Sequence, residues 1–453
     1  MSNKPRPNTA LPVSTVAELE GVETLIGQGQ LAAAAQALNR LQQRYPSDPR
    51  IYLLGSLLAE RSDRGDAMLA SAERASRLAP HWHVATLRLA QAQGLAGQDK
   101  AALKNAQVAL QQSQKHSTSE RQDILRAAVD LAIQHGAYDQ ARDGLQQLLK
   151  LAPQAVAPRV QLAQILAHTG QTEAGLQAFA QVLESAPETV PARIGHMHCA
   201  QQLGQTAVAE ADAAYLRQHH ASDPQASFHA AVVLGEKPAT QPPALIAQLF
   251  DDYAHLFDQH LVRGLGYTLP RDVAQRILQW HPDRQLNLLD LGCGTGLLGV
   301  CLGRLQGALI GVELSGNMVR KAARHGVYDR FHQVNLIDAL RDTPADLYHV
   351  IAALDVLCYV GDLAAVIPQA WRVLVPGGRW VFSCEALTSG RSHYTIDPQT
   401  LRYQHARSYV EKLCQKAGFV DIDIQELSLR KQDQDAVPGF LVVATKPAQS
   451  IAS

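Results

Sequence analysis

The stretch Leu288–Val300, "LLDLGCGTGLLGV", reads as a buried strand that runs into a glycine-rich bend and then into a helix start. Two frames of glycine fit it. Gly294, Gly296 and Gly299 spell G-x-G-x-x-G, while Gly292, Gly294 and Gly296 spell G-x-G-x-G behind an acid, Asp290. In either frame the backbone bends at the carboxyl end of a strand, where open α/β sheets bind ligands. The first frame suits a dinucleotide, whose pyrophosphate takes backbone N–H groups and a helix N-terminus. A carboxylate at Asp290 would repel that anion. S-adenosylmethionine carries a sulfonium and an ammonium and no phosphate, so the acid favours a methyl donor.

Working outward from the loop, short apolar runs alternate with amphipathic stretches: "LNLLDL", "ALIGVEL", "FHQVNL", "LYHVIAAL", "RWVFSCE", "FVDIDIQEL" and "GFLVVAT". Near-continuous apolar strands separated by helices describe a parallel sheet covered on both faces. The last two runs have no helix between them, which predicts an antiparallel final strand. Residues 245–447 are therefore expected to form a doubly wound α/β domain.

The amino-terminal half has a different period. Gly136, Gly170 and Gly204 are spaced by 34 residues, and Gly29, Gly136 and Gly170 each have a proline 17 positions later. A small residue follows five after the glycine at Ala34, Ala141, Gly175 and Ala209. These features resemble tetratricopeptide repeats over residues 15–220, in about six helix pairs. Phe179 keeps a consensus aromatic position, and "QQSQKHSTSERQD" looks like an insertion. Pro238, Pro242 and Pro243 mark residues 221–244 as a linker. The expected architecture is thus an α-solenoid followed by a Rossmann-like α/β domain.

Composition narrows the function classes. Forty-one Lys and Arg face 42 Asp and Glu, which argues against a broad nucleic-acid-binding surface. Six cysteines form no C-x-x-C pair and read as reduced thiols of a cytoplasmic protein. No apolar run is long enough to span a membrane. The histidines show no H-E-x-x-H or similar spacing, so no metal is expected.

Beyond the loop, "GVELSGNMVRKAARHG" places Glu313 at a strand end, 19 residues after Gly294, where an acid can accept both hydroxyls of a ribose. "DLYHVIAALDVLCYVGDLAAVIPQAWRVLVPGGRWVFSCE" adds D-V-L-x-Y at Asp355 and L-x-P-G-G before the fifth strand. The ordered set, with Asp290 and the glycines, resembles the class I S-adenosylmethionine-dependent methyltransferases over nearly all of 245–447. The whole chain resembles bacterial fusions of tetratricopeptide repeats with that enzyme.

The resemblance implies S-adenosyl-L-methionine as cofactor, held by Asp290, Gly292, Cys293, Gly294, Gly296 and Glu313. Leu314 and Met318 would border the adenine, although Met318 also suits a helix core. Asn335 and Leu336 follow the third strand, where the family commonly has an aspartate for the adenine amino group. The Asn335 carbonyl or Asp338 would serve instead. Asp355 would line the donor and acceptor pocket. Tyr253, Phe257 and His260 share one face of a helix ahead of the first strand, and Tyr253 is expected to touch the donor or else to pack into the core. His405, in "YQHARSYV", would act as general base, anchor an acceptor carboxylate or cap its own helix. His393, Tyr394 and Glu385 are weaker candidates. The expected activity is methyl transfer to a protein, peptide or carrier-bound acceptor recruited by the repeats. The alternatives are small-molecule O-methylation, with repeats for assembly, and a scaffold that binds the donor without turnover.

Overall fold

The computed structural model describes residues 13–62, 64–253, 267–390, 392–432 and 435–448. The chain divides into two compact units, Met1–Gln205 and Thr206–Ser453.

The first unit is helical, from α1 (Val13–Gly27) to α11 (Val190–Gln202), with successive helices packed against one another. Glycines 29, 97, 136, 170 and 204 all take positive φ, between 67° and 79°. That conformation closes one helix and turns the chain into the next at little steric cost when no Cβ is present. Five residues after these turns, Ala34, Ala102 and Ala141 are fully buried. At Gly175 an added Cβ would lie 3.1 Å from the Ala167 backbone. The small residues set the helix spacing. Phe179 is buried and fills the space above Gly195, where a Cβ would come within 2.2 Å of its ring. The stretch that reads as an insertion becomes the end of α6 (Asp99–Ser113), a turn, and the start of α7 (Thr118–Gln134). Ser117 and Glu120 cap α7 reciprocally, satisfying otherwise orphaned backbone donors.

The second unit begins with α12 (Thr206–His219) and α13 (Pro224–Val233), then α14 (Pro243–Tyr253) and α15 (Leu269–Trp280). The stretch expected as a linker therefore carries a helix, and its ends are tied down. Phe228 and Val232 of α13 pack on the fully buried Tyr403. The Tyr403 hydroxyl donates to the Pro238 carbonyl at 2.8 Å, and Gly361 N donates to Ala239 O at 2.8 Å. Composition marks this stretch as a boundary because of its prolines. Pro243 instead opens α14, and the segment before it lies against the domain through Pro238 O and Ala239 O.

The sheet core runs β3 (Arg330–His332), β2 (Leu309–Val312), β1 (Leu288–Leu291), β4 (Tyr348–Ala353), β5 (Leu374–Ala386), all parallel. On the far edge of β5 lies β9 (Asp435–Thr445), antiparallel, and β8 (Val420–Gln432) pairs with β9. The antiparallel final strand follows from the direct β8–β9 connection. Two short strands absent from the sequence reading, β6 (Tyr394–Ile396) and β7 (Tyr403–His405), form a hairpin. Glu385 pairs with Gly439 of β9 on one side and Gln404 of β7 on the other, so the hairpin extends the β4 edge of β5. Two apolar layers cover the sheet, one under α19 (Ile367–Val373) and α20 (Arg407–Ala417), the other under α15. Strand order reverses between β2 and β4 across β1, which opens a crevice at the carboxyl ends.

Removing the seat under Tyr403 should be costly. Phe228→Ala deletes a fully packed aromatic ring and is expected to lower stability by about 3–5 kcal/mol, read by urea unfolding. A fragment starting at Thr206 should unfold cooperatively, whereas one starting at Pro243 should lose that transition or aggregate.

Candidate active site

The carboxyl ends of the parallel strands enclose a cavity of about 300 Å³. Asp290, Gly292, Cys293, Gly294, Glu313, Leu314, Asn335, Leu336 and Asp355 line it, so most residues expected from sequence do converge. Gly296 caps α16 (Leu297–Leu302) with φ +85°.

The two glycine frames have separate physical causes. Gly292, Gly294 and Gly296 all take positive φ, which is the conformational demand of the loop. A Cβ at Gly292 would fall 2.4 Å from Val356 and close the crevice between the loops of β1 and β4. Gly299 lies within α16, and there a Cβ would meet the Tyr328 ring at 2.3 Å. The first three shape the ligand loop, and the fourth admits Tyr328. That tyrosine escaped the sequence reading. Its hydroxyl donates to Asp290 Oδ2 at 2.6 Å and accepts from Gly299 N at 3.3 Å, so it couples the loop acid to the helix start. Burial pushes the Asp290 carboxyl up to about 7, against the lowering effect of this hydrogen bond.

Glu313 stands at the end of β2. Its carboxylate accepts from Gly294 N at 3.0 Å and Ser315 N at 2.9 Å, which joins the first loop to the second. Burial raises its pKa, and these backbone donors work the other way. Over this side lies α14, which brings Ile246, Leu249 and Phe250 to the cavity. Asp251 fastens that helix: its Oδ1 accepts from Ser315 Oγ at 2.5 Å and Asn317 N at 3.2 Å. The sequence reading chose Tyr253 on this helix. The side chain of Tyr253, and all of Phe257 and His260, lie outside the described residues.

Several expected roles change. Met318 is fully buried in α17 (Gly316–Arg324), and it is not among the described residues lining the cavity. The Asn335 carbonyl caps α18 (Leu336–Asp342) by accepting from Ile337 N at 2.8 Å, so one of its lone pairs is already engaged. Asp338 is half exposed and paired with Arg341. His405 is corrected outright as a cavity base. It is completely buried at the end of β7, does not line the cavity, and its Nε2 lies 2.9 Å from Val360 O and 3.2 Å from Gly361 O. Burial lowers its pKa to about 4, so the imidazole is neutral and holds the loop after β4. His393 stacks on Tyr409 at 4.7 Å, and Tyr394 packs on Tyr403.

The opposite side of the cavity carries a feature the sequence did not disclose. Arg402 and Arg430 line it, each bonded to both Asp355 and Glu385. Arg402 spans Asp355 Oδ1 at 2.8 Å and Glu385 Oε1 at 2.6 Å, and Arg430 reaches the same two oxygens at 2.7 Å each. Arg402 also donates to the Tyr359 hydroxyl at 3.0 Å. Asp355 takes φ +53°, an uncommon conformation for a non-glycine residue and one that aspartate tolerates better than most. Its backbone N donates to Ser383 Oγ at 2.8 Å. Asp355, Cys358 and Glu385 are close enough to share a metal ion, but the two guanidinium groups already satisfy them.

Comparison with known proteins agrees with this architecture. Residues 289–380 match the family model described as a methyltransferase domain, and residues 23–48 and 132–193 match tetratricopeptide repeats. The matched segments thus resemble tetratricopeptide repeats in the amino-terminal half and a methyltransferase domain in the carboxyl-terminal half. A mitochondrial ubiquinone biosynthesis O-methyltransferase of Mus musculus is 28% identical over 145 residues, 30% of this chain and 39% of that one. The ubiquinone biosynthesis O-methyltransferase of Xylella fastidiosa is 32% identical over 95 residues, 20% of this chain and 39% of that one. A solved Thermotoga maritima structure, described as a possible histamine N-methyltransferase, covers 44% of this chain and 99% of its own at 17% identity and a TM-score of 0.33. The chain thus spans about two fifths of the length of these two curated relatives.

Breaking one member of the arginine–carboxylate ring strands buried charge. Arg430→Met should therefore destabilise the domain by about 3–5 kcal/mol in urea unfolding. Replacing Arg430 and Glu385 together by apolar residues should restore much of that loss.

Proposed function

We propose that the protein is an S-adenosylmethionine-dependent O-methyltransferase acting on a protein, peptide or carrier-bound acceptor that the repeats recruit. One observation carries the reading: the cavity sets buried carboxylates, Asp290 and Glu313, above β1 and β2, and two guanidinium groups above β4 and β5. The residues suit the donor. The Gly292 crevice has no room for a Cβ, and Glu313 keeps lone pairs beyond its two backbone bonds for ribose hydroxyls. Asp290 supplies negative charge for a cationic ligand.

When bound, the donor supplies an electrophilic methyl group on a sulfonium that leaves as a neutral thioether, so no acid is needed. The chain's share is binding, alignment and exclusion of water. No histidine or lysine stands among the described residues lining the cavity. Asp355 is bound by both arginines, and burial raises Cys293, Tyr267 and Tyr359 well above their ordinary range. A pocket so short of free bases suits an oxygen nucleophile that is anionic on its own, such as a carboxylate, placed towards Arg402 and Tyr359. The ubiquinone O-methyltransferase relatives are in keeping with an oxygen acceptor. Repeat solenoids present extended concave surfaces, which favours a macromolecular acceptor over one met free in solution.

Donor binding should depend on pH with a defined sign. Asp290, pushed up to about 7, is neutral below that value and charged above it. A cationic donor binds the charged form, so affinity should rise as pH increases through about 7 and fall below it by up to about tenfold per unit. Isothermal titration checks this, and Asp290→Asn should flatten the dependence relative to the parent protein. Glu313→Ala should cost roughly 1.5–3 kcal/mol of donor affinity through lost charge-assisted bonds.

Recruitment is tested by comparing the full chain with Thr206–Ser453 on large and small acceptors. Transfer to a small carboxylate surrogate should survive repeat removal, while label incorporated into macromolecules of a host lysate should fall sharply. Equal losses on both would favour an assembly role for the repeats, with a small-molecule acceptor.

A further inference from the structure

The repeat unit holds a polar cluster that methyl transfer does not use. His83 opens α5 (His83–Leu95), after the turn from α4 (Gly65–Leu78), and His116 sits in the turn between α6 and α7. Glu120 lies in the first turn of α7. One ring nitrogen of each histidine and one oxygen of Glu120 all lie within 4.8 Å of one another. The two imidazole centroids are 4.2 Å apart at 58°, and His116 Nδ1 is 3.8 Å from Glu120 Oε2. His83 is only 3% exposed, yet its buried Nδ1 has no hydrogen-bond partner. An orphaned buried polar atom of this kind calls for an explanation.

The surroundings already hold the Glu120 side chain and tie together the elements that carry the two histidines. Ser117 fixes Glu120, donating to Oε2 from its N at 3.2 Å and its Oγ at 2.8 Å. Gln112 ties the two turns together, donating to Pro80 O at 2.9 Å and accepting from Thr86 Oγ1 at 2.9 Å. A contact of the Ser117–Glu120 kind is what orients a metal ligand. Burial and the neighbouring His116 both lower the His83 pKa, which keeps its ring in the neutral form that binds metal.

We propose that His83, His116 and Glu120 form a divalent-metal site of Zn²⁺ type, which clips the α4–α5 turn to the α6–α7 turn. Two imidazoles and a carboxylate suit zinc, whereas magnesium and calcium call for oxygen ligands throughout. Ligand atoms around tetrahedral zinc stand about 3.3 Å apart, given bonds of about 2.0–2.1 Å. With the ligand atoms within 4.8 Å of one another, the cluster must therefore contract by up to about 1.5 Å at its widest, by analogy with those bond lengths. His116 and Glu120 can do this, since their side chains are 29% and 35% exposed. That same opening leaves a fourth position for water. The site is invisible to linear spacing because His83 and His116 are 33 residues apart, one in each of two turns.

The test uses the full chain, stripped with chelator and titrated with Co²⁺ and then Zn²⁺. The expected result is one Co²⁺ per chain with the visible d–d bands of a four-coordinate nitrogen and oxygen site, without thiolate charge transfer, and displacement by Zn²⁺. His116→Asn and Glu120→Gln should each weaken binding at least tenfold. Glu120→Gln keeps the capping contact with Ser117, so its fold and its melting temperature in chelator should match the parent. Zn²⁺ should raise the melting temperature of the parent and not of the variants. No binding, equal binding in both variants, or a thiolate signature would overturn the proposal.

Discussion

The α/β half of the molecule depends on one closed ring of charge. Asp355 follows β4, Glu385 belongs to β5, Arg402 precedes β7 and Arg430 lies in β8, so four elements meet in four ion pairs. Two carboxylates and two guanidinium groups balance, which removes the net charge that burial would otherwise oppose. The desolvation cost of such a ring is large, and an apolar cluster of equal volume would stabilise the fold at least as well. What the ring provides instead is position. It holds Asp355 in its left-handed conformation, fixes Tyr359 through Arg402, and sets guanidinium donors into the cavity beside Leu354, Val356 and Tyr359.

On the opposite side the same logic runs through backbone amides. Glu313 gathers Gly294 N and Ser315 N, Ser315 in turn gathers Asp251, and Asp251 fixes α14 over the cavity. A chain of three side chains thus relates the glycine loop to the helix that covers it. A ligand competing for the free lone pairs of Glu313 would act on both. Tyr328 gives Asp290 a comparable anchor while leaving it protonatable near neutrality, so the loop's charge responds to what enters.

How much of this was readable in sequence follows from the range of each interaction. The glycine loop, Asp290 and Glu313 lie at or near the ends of short apolar runs, which period marks as strands, and Asp355 follows from the family resemblance. The solenoid was equally plain, because left-handed glycines and small residues recur at fixed distance. Arg402 and Arg430 were not readable. A lone arginine beside an aromatic or in an alternating strand normally points to solvent, and only the β7 and β8 placements turn both inward. The hairpin β6–β7 had a signal, "YTIDPQTLRY", with alternating β-formers around an Asp-Pro turn whose Asp397 accepts from Gln399 N and Thr400 N. Missing it placed His405 at a helix start, free to act. In the hairpin it ends a strand and faces inward. The linker reading failed for a similar reason: prolines report an extended backbone, and an extended backbone can be packed as well as free.

The burial of His405 bears on mechanism as well as on fold. With its pKa lowered to about 4 and Nε2 committed to the loop after β4, the histidine cannot shuttle protons without breaking that loop's support. The described cavity residues offer no other base with both access and a suitable pKa. Asp290 has the pKa, but it stands by the glycine loop and accepts from Tyr328, away from the guanidinium wall. On the proposed reading, an acceptor that had to lose a proton would lose it to water before entering. Acceptors with acidic oxygens do this readily at neutral pH, while protonated amines, with pKa values near 10, do so poorly. On the proposed reading, a pocket short of bases favours a nucleophile that arrives anionic, and alignment between the carboxylate and guanidinium sides would be the main source of rate.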